Sequence, residues 1–321
     1  VLIGTNINSP VSDSWAAGNV SVSNSCAGGL IGHNYDGSTL SNTSAAGMVS
    51  GVNTLGGLIG SNEDSPVSDS YASGAVNGSQ AGVGGLIGQN SNGTVFNCSA
   101  TGDVSTGNIS WNSRAGGLVG LNYGAVSNCS ASGNVSATGD YVGGLIGDNW
   151  PGGSVSNSSA AGIVSGNAFV GGLVGENDQG TINGSYATGQ VNGNDNGTGG
   201  FVGLNNGSVS ASYATGNVFG SSYTGGFAGY NDYGVINTSY ATGNVSGVAD
   251  VGGFAGLNNY GTVKYSYATG NASGTVNRIG GFVGTNFASV SDSYARGNVN
   301  GDEDIGGFAG MNQGLSAVIT R

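Results

Sequence analysis

Gly28-Gly29-Leu30-Ile31-Gly32-His33-Asn34 is the stretch whose reading decides the fold. Close copies start at Gly56, Gly84, Gly116, Gly143, Gly171, Gly199, Gly225, Gly252, Gly280 and Gly306, and a truncated copy, Leu2-Ile3-Gly4-Thr5-Asn6, opens the chain. Most starts lie 26 to 28 residues apart; the step from Gly84 to Gly116 is 32. Such a period marks a repeat architecture in which each unit buries its apolar face only against its neighbours. Around the motif the unit continues as Gly-x-[Val/Ile]-x-x-Ser-[Tyr/Ser]-Ala-x-Gly and then x-Val-x-Gly, as in Gly225–Gly247. Its segments are four to six residues long and punctuated by Gly and Asn, which suits strands and excludes helix. Two or three strands per repeat, with corners between, describe one coil of a solenoid whose strands stack at about 4.8 Å. The expectation is an all-β, parallel β-solenoid (β-helix) of about eleven coils of 26–28 residues, forming one elongated domain. That domain covers 1–321, with 1–27 a truncated first repeat and 306–321 an incomplete last one.

Composition fits stacking. Of 321 residues 68 are Gly, and only 7% are charged. A solenoid column sets like residues against like, and two like charges about 4 Å apart repel by about 1 kcal/mol even in water. Ser, Thr, Asn and Tyr avoid that repulsion and can hydrogen-bond along the column. Asp148 and Glu176, at like positions in adjacent repeats, are the exception. The net charge of −12 and the five scattered cations, Arg114, Lys264, Arg278, Arg296 and Arg321, argue against nucleic acid. No apolar run reaches the length of a membrane-spanning helix, so membrane insertion is not expected. The chain starts inside a motif and carries no signal peptide, which reads as a processed product or a piece of a longer one.

The columns drift along the chain. The first apolar position is Leu at 2, 30, 58, 86, 118, 145 and 173, then Phe at 201, 227, 254, 282 and 308. Its neighbour shrinks to Ala at 228, 255 and 309, a pairing that conserves volume within one packed layer. The arm position is Ser at 44, 99, 130 and 159 and Tyr at 186, 213, 240, 267 and 294, broken early by Trp15 and Tyr71. The motif Asn stands in all twelve copies, at Asn6, Asn34, Asn62, Asn90, Asn122, Asn149, Asn177, Asn205, Asn231, Asn258, Asn286 and Asn312. A ligand site rarely repeats twelve times, so these read as an amide ladder at a corner, where Asn tolerates the left-handed conformation. The Gly pair reads as a corner with no room for Cβ.

The motif Gly-Gly-Leu-Ile-Gly-x-Asn with its Ser-Tyr-Ala-Thr-Gly-x-Val arm resembles the GLUG-motif repeat, over nearly the whole chain. The resemblance implies an extracellular or cell-surface protein of adhesin type with a solenoid-like fold. It implies no catalytic residues, since peptidase activity in that family lies in other domains.

The residues offer few alternatives. The single His33 occupies the position held elsewhere by Ser61, Gln89, Leu121 and Asp148, which argues against a catalytic group. No cofactor or His/Cys metal cluster is expected. Asp302, Glu303 and Asp304 form the densest acidic run, a weak Ca²⁺ candidate against the plainer reading of a solvated loop. Cys98 and Cys129, equivalent in successive repeats, could form a disulfide between coils or remain two buried thiols, and Cys26 reads as a lone thiol. Asn19, Asn42, Asn77, Asn92, Asn108, Asn196 and Asn271 head Asn-x-Ser/Thr sequons and are glycosylation candidates, while Asn97 and Asn128 are expected inside strands and bare. Aromatics after the motif Asn, and above all Trp111, Arg114 and Trp150, are candidate contact loops for host or matrix glycans. Thr101, Thr188, Thr215, Thr242 and Thr269 would suit ice binding, but Arg296 interrupts the column. The functional expectation is a non-enzymatic extracellular rod, a building block of a surface filament or adhesin stalk, joining head to tail through uncapped ends. A carbohydrate-binding adhesin module is the alternative.

Overall fold

The computed structural model describes residues 2–107 and 112–320. Every ladder pairing between strands is parallel, and each strand pairs with its counterpart one coil away. The first full coil runs through strands Ala27–Gly28, Ile31–Tyr35, Leu40–Ser41, Ser44–Ala45 and Val49–Gly51. Stacking these gives five sheets, two of twelve strands and three of eleven. The fold is therefore an all-β parallel solenoid of about twelve turns, roughly 50 Å along its axis at the usual rung spacing. Five short strands replace the two or three expected. Two-residue segments such as Leu40–Ser41 are too brief to show alternation in sequence, and they hold only because each has a partner above and below.

Register survives the irregular step. Gln89 pairs with Leu121 and Asn90 with Asn122 although 32 residues separate each pair. The strands on either side of the added length, Val104–Thr106 and Ala115–Gly116, keep their places in the ladders.

Two cores run the length of the body. The larger holds the Leu/Phe column with the adjoining Ile, Val or Ala, the arm valines and the arm alanines. The smaller is built on Val49, Val76, Val104 and their equivalents, facing Leu55, Val83 and Val142. In the C-terminal half Phe201, Phe227, Phe254, Phe282 and Phe308 stack with ring centroids 4.6 to 4.9 Å apart. Phe227 with Ala228 and Phe254 with Ala255 are fully buried in the layer that Leu58 with Ile59 fills earlier, as the volume argument requires. The arm tyrosines form a second stack, Tyr186 to Tyr294, at 4.8 to 5.1 Å, but on the outer surface, with the following Ala turned into the core.

The Gly pair keeps ordinary φ values; its requirement is closeness. A Cβ on Gly172 would collide with the carbonyl oxygen of Gly200 in the next coil. The left-handed corners lie elsewhere, in three columns, one of which follows the motif Asn at Asn8, Asp36, Asp64, Asn92, Gln179, Tyr233 and Tyr260; the other two are longer. One runs Asp13, Asn42, Asp69, Asn97, Asn128, Asn157 and onward; the other runs Cys26, Thr54, Gly82, Arg114, Tyr141, Phe169, Gly197, Tyr223, Asp250, Arg278 and Asp304. Such φ values cost a non-Gly residue about 1–2 kcal/mol each. They are offset because the corner N–H still bonds the next coil, as Tyr141 N does to Ala168 O at 3.1 Å.

Candidate functional site

The motif Asn side chains lie inside strands, at Asn34 in Ile31–Tyr35 and its equivalents, and not in left-handed corners as expected. The strand backbone turns each carboxamide into the interior, where Asn34 through Asn286 are completely buried. Each Nδ2 donates to the Oδ1 of the next coil's Asn at 2.8–2.9 Å, without a break from Asn6 to Asn312. The second amide hydrogen closes the turn that follows, as from Asn34 to Ser38 O and from Asn177 to Gly180 O. Both donors are thus used, leaving this column no group to offer a ligand.

A parallel ladder escaped the sequence reading. The arm Ser before Tyr or Ser sits buried, and its Oγ accepts the backbone N–H one coil earlier, as Ser158 N donates to Ser185 Oγ at 3.2 Å and Ser185 N to Ser212 Oγ at 3.3 Å. The Ser was visible at a fixed place in most repeats, but its partner was not. Cys98 and Cys129 occupy this column as free, buried thiols. Sulfur takes the hydroxyl's place: Cys98 N donates to Cys129 Sγ at 3.4 Å, and Cys129 Sγ to Ser127 O at 3.1 Å. The hydrogen bond between the two thiols and burial push the Cys98 thiol far up, so it stays protonated and unreactive.

Chemistry that departs from the scaffold collects where the left-handed column of Cys26 and Arg114 faces the variable motif position. Arg114 Nε lies 3.1 Å from Asp148 Oδ2, and the indole of Trp150 donates to the same carboxylate. The guanidinium stands 5.4 Å from the Trp150 ring, whose other neighbour is Tyr123. Glu176 is the register partner of Asp148 one coil on. Burial pushes Asp148 up to about 6, against the pull of Trp150 and Arg114. Burial, then the charges of Asp148 and Asp178, push Glu176 up to about 8. Tyr141 nearby is raised to about 12 by burial and by Glu176. Asp250 repeats the pattern with Arg278 at 2.8 Å and the Thr285 hydroxyl.

Both raised acids hold their protons more tightly in the fold than in the open chain. Their contribution is therefore fully present below about pH 4 and is lost as pH climbs to 8. Glu176→Gln is expected to raise the melting temperature at pH 8.5 and leave it nearly unchanged at pH 4. Thermal melts across that range check this, and an equal shift at both pH values would contradict it.

The other candidate residues are dispersed. Asp302, Glu303 and Asp304 are exposed, with Asp304 in a left-handed corner. Among the described residues no group of three or more His, Cys, Asp and Glu is placed to hold a metal. His33 is half-buried beside Tyr35, with ring centroids 5.8 Å apart. Of the sequon residues, Asn19, Asn42, Asn92, Asn196 and Asn271 are exposed and Asn77 is half-buried in a strand. Asn97 and Asn128 are exposed left-handed corners, not strand residues as expected. Asn108 and Trp111 lie outside the described residues. Tyr233 and Tyr260 are 66% and 63% exposed, but stack on each other at 4.8 Å, which covers one face of each ring. No helix among the described residues is long and apolar enough to cross a membrane.

Fold and ladders together define a β-solenoid repeat protein. The GLUG motif matches six times, at residues 23–50, 79–105, 112–136, 166–192, 220–246 and 275–300. The chain is a GLUG-motif repeat protein, and its architecture is that of a structural repeat. No curated protein and no solved structure matches it.

Proposed function

We propose that the chain is a non-enzymatic rigid rod working outside the cell, as a building block of a surface filament or an adhesin stalk. The observation that carries this reading is the unbroken amide ladder from Asn6 to Asn312, which ties every coil to the next through both the Leu and the Phe blocks. A body so connected resists bending. Its low charge and its buried, fully used polar columns serve cohesion and leave only the outer corners to vary.

Assembly head to tail extends the same logic. At one end Leu2 and Ile7 are exposed, and at the other Ile305, Leu315, Val318 and Ile319. The outer edges of strands Ile3–Ile7 and Val318–Thr320 carry backbone groups in register for one more parallel coil. A second copy can supply that coil, and so can further chain in a longer polypeptide.

Immunogold labelling of intact source cells tests the location, with label expected on external filaments or stalks. Label confined to the cell interior would overturn the proposal. Negative-stain imaging of the purified chain tests assembly: fibres that lengthen with concentration are expected, and single rods of roughly 50 Å at every concentration would remove the head-to-tail step.

A further inference from the structure

The left-handed column that carries Arg114, Tyr141 and Phe169 is interrupted twice by Gly, and the two gaps differ. At Gly197 the neighbouring ring closes the space: a Cβ there would meet Phe169 Cδ1 at 2.7 Å. Phe169 is itself held by Tyr141, stacked at 5.3 Å. At Gly82 no side chain among the described residues fills the gap. The nearest atoms to a Cβ belong to Thr54, at 3.7 Å, and an open cleft of about 500 Å³ lies between Thr54 in the coil before and Arg114 in the coil after. That volume falls within the range of small-ligand sites.

Four carboxamides, Asn53, Gln80, Gln89 and Asn112, line the cavity with the Thr54 hydroxyl, above Ala81 and Leu121. Asn53 Oδ1 is buried and has no hydrogen-bond partner. Gln89 is held from one side only, its Nε2 donating to Ser91 Oγ at 3.0 Å. Among the described residues no carboxylate lines the space, and the one cation that does, Arg114, is already matched by Asp148.

We propose that the Gly82 cavity is a binding site for a neutral saccharide. Carboxamides both donate and accept, which matches sugar hydroxyls, and the apolar floor suits the C–H face of a pyranose ring. A free anion gains little from a neutralised Arg114 in a chain of net charge −12, and a cation finds no anionic ligand. The site is independent of the rod's role: a filament lacking it is still a filament.

The test is isothermal titration of the whole chain with glucose, galactose, mannose, N-acetylglucosamine and lactose, and with glucuronate as the charged arm. At least one neutral sugar is expected to bind in the millimolar range. Gly82→Asn, which fills the gap with a residue that tolerates positive φ, and Gln89→Leu, which removes one polar wall, are each expected to weaken it about tenfold or more. Unchanged melting curves confirm that both variants fold, and Thr242→Ala, on a distant coil, should bind as the parent does. The proposal is overturned if no neutral sugar binds at tens of millimolar, if binding survives both variants, or if glucuronate binds more tightly than glucose.

Discussion

Replacing Asn177 by Ala is expected to destabilise the protein by about 3–5 kcal/mol. Asn177 is fully buried in the middle of the ladder. Its removal leaves the Oδ1 of Asn177's role as acceptor for Asn149 empty and takes the donor from Asn205 Oδ1 and from Gly180 O. A buried polar group without a partner costs about 1–3 kcal/mol, and the lost side chain adds a small cavity. Because each coil touches only its neighbours, the loss also uncouples the two halves. A urea melt should then change from one transition to two. Asn312→Ala, at an exposed rung, removes one such bond and should cost under about 1 kcal/mol. Equal effects at the two positions would contradict the ladder's part in holding the coils together.

The second large effect is steric. Gly172→Ala places a methyl group inside the contact distance of the Gly200 carbonyl and at 3.1 Å from Ala187 Cβ. Overpacking a filled interior costs about 1–3 kcal/mol when side chains can move aside, and more when, as here, the obstacle is backbone held in a sheet. A loss above about 3 kcal/mol is expected, with the register between the two coils disturbed. Gly307→Ala is the control. A Cβ there meets nothing within 4 Å, so its melting point should stay within a degree or two of the parent, equivalent to under about 0.5 kcal/mol. A mild Gly172→Ala would mean that the coils are spaced more loosely than described.

The columns were legible because they repeat. Leu30, Phe227, Asn177 and Gly172 each recur at a fixed place, and a residue that must stack on its own copy leaves that trace in sequence. The family resemblance, the parallel solenoid and the amide ladder all follow from it. Strand number was not legible, since a segment such as Ser44–Ala45 is too short to alternate and is defined only by its partners in other coils. The corners misled for a related reason. Phe169 and Tyr223 adopt left-handed φ, which their side chains disfavour, because hydrogen bonds to the next coil hold the backbone there whatever the residue. Asn, the residue that suits such corners, was assigned to them at the motif itself but is found there at arm positions such as Asn42, Asn97 and Asn128 and two residues past the motif Asn, at Asn8 and Asn92.

The variable face was half legible. Asp148 and Glu176 stood out as like charges in one column, but Arg114 and Trp150, which neutralise and cover the first of them, come from different parts of two coils. The Gly82 cavity had no signal of its own. It is the absence of one side chain among neighbours that differ from coil to coil, and only the contrast with Gly197, closed by Phe169, reveals it.

Hydrogen exchange at the Asn side-chain amides, followed by ¹⁵N-resolved NMR, tests the central claim most directly. If the motif is the internal rung of an in-register solenoid, the NH₂ groups of Asn34 through Asn286 exchange only when the coils open. They should then remain protonated in D₂O long after exposed side chains such as Asn42 and Asn271 have exchanged. Exchange of the motif amides as fast as Asn42 and Asn271 would place them in water and contradict the account.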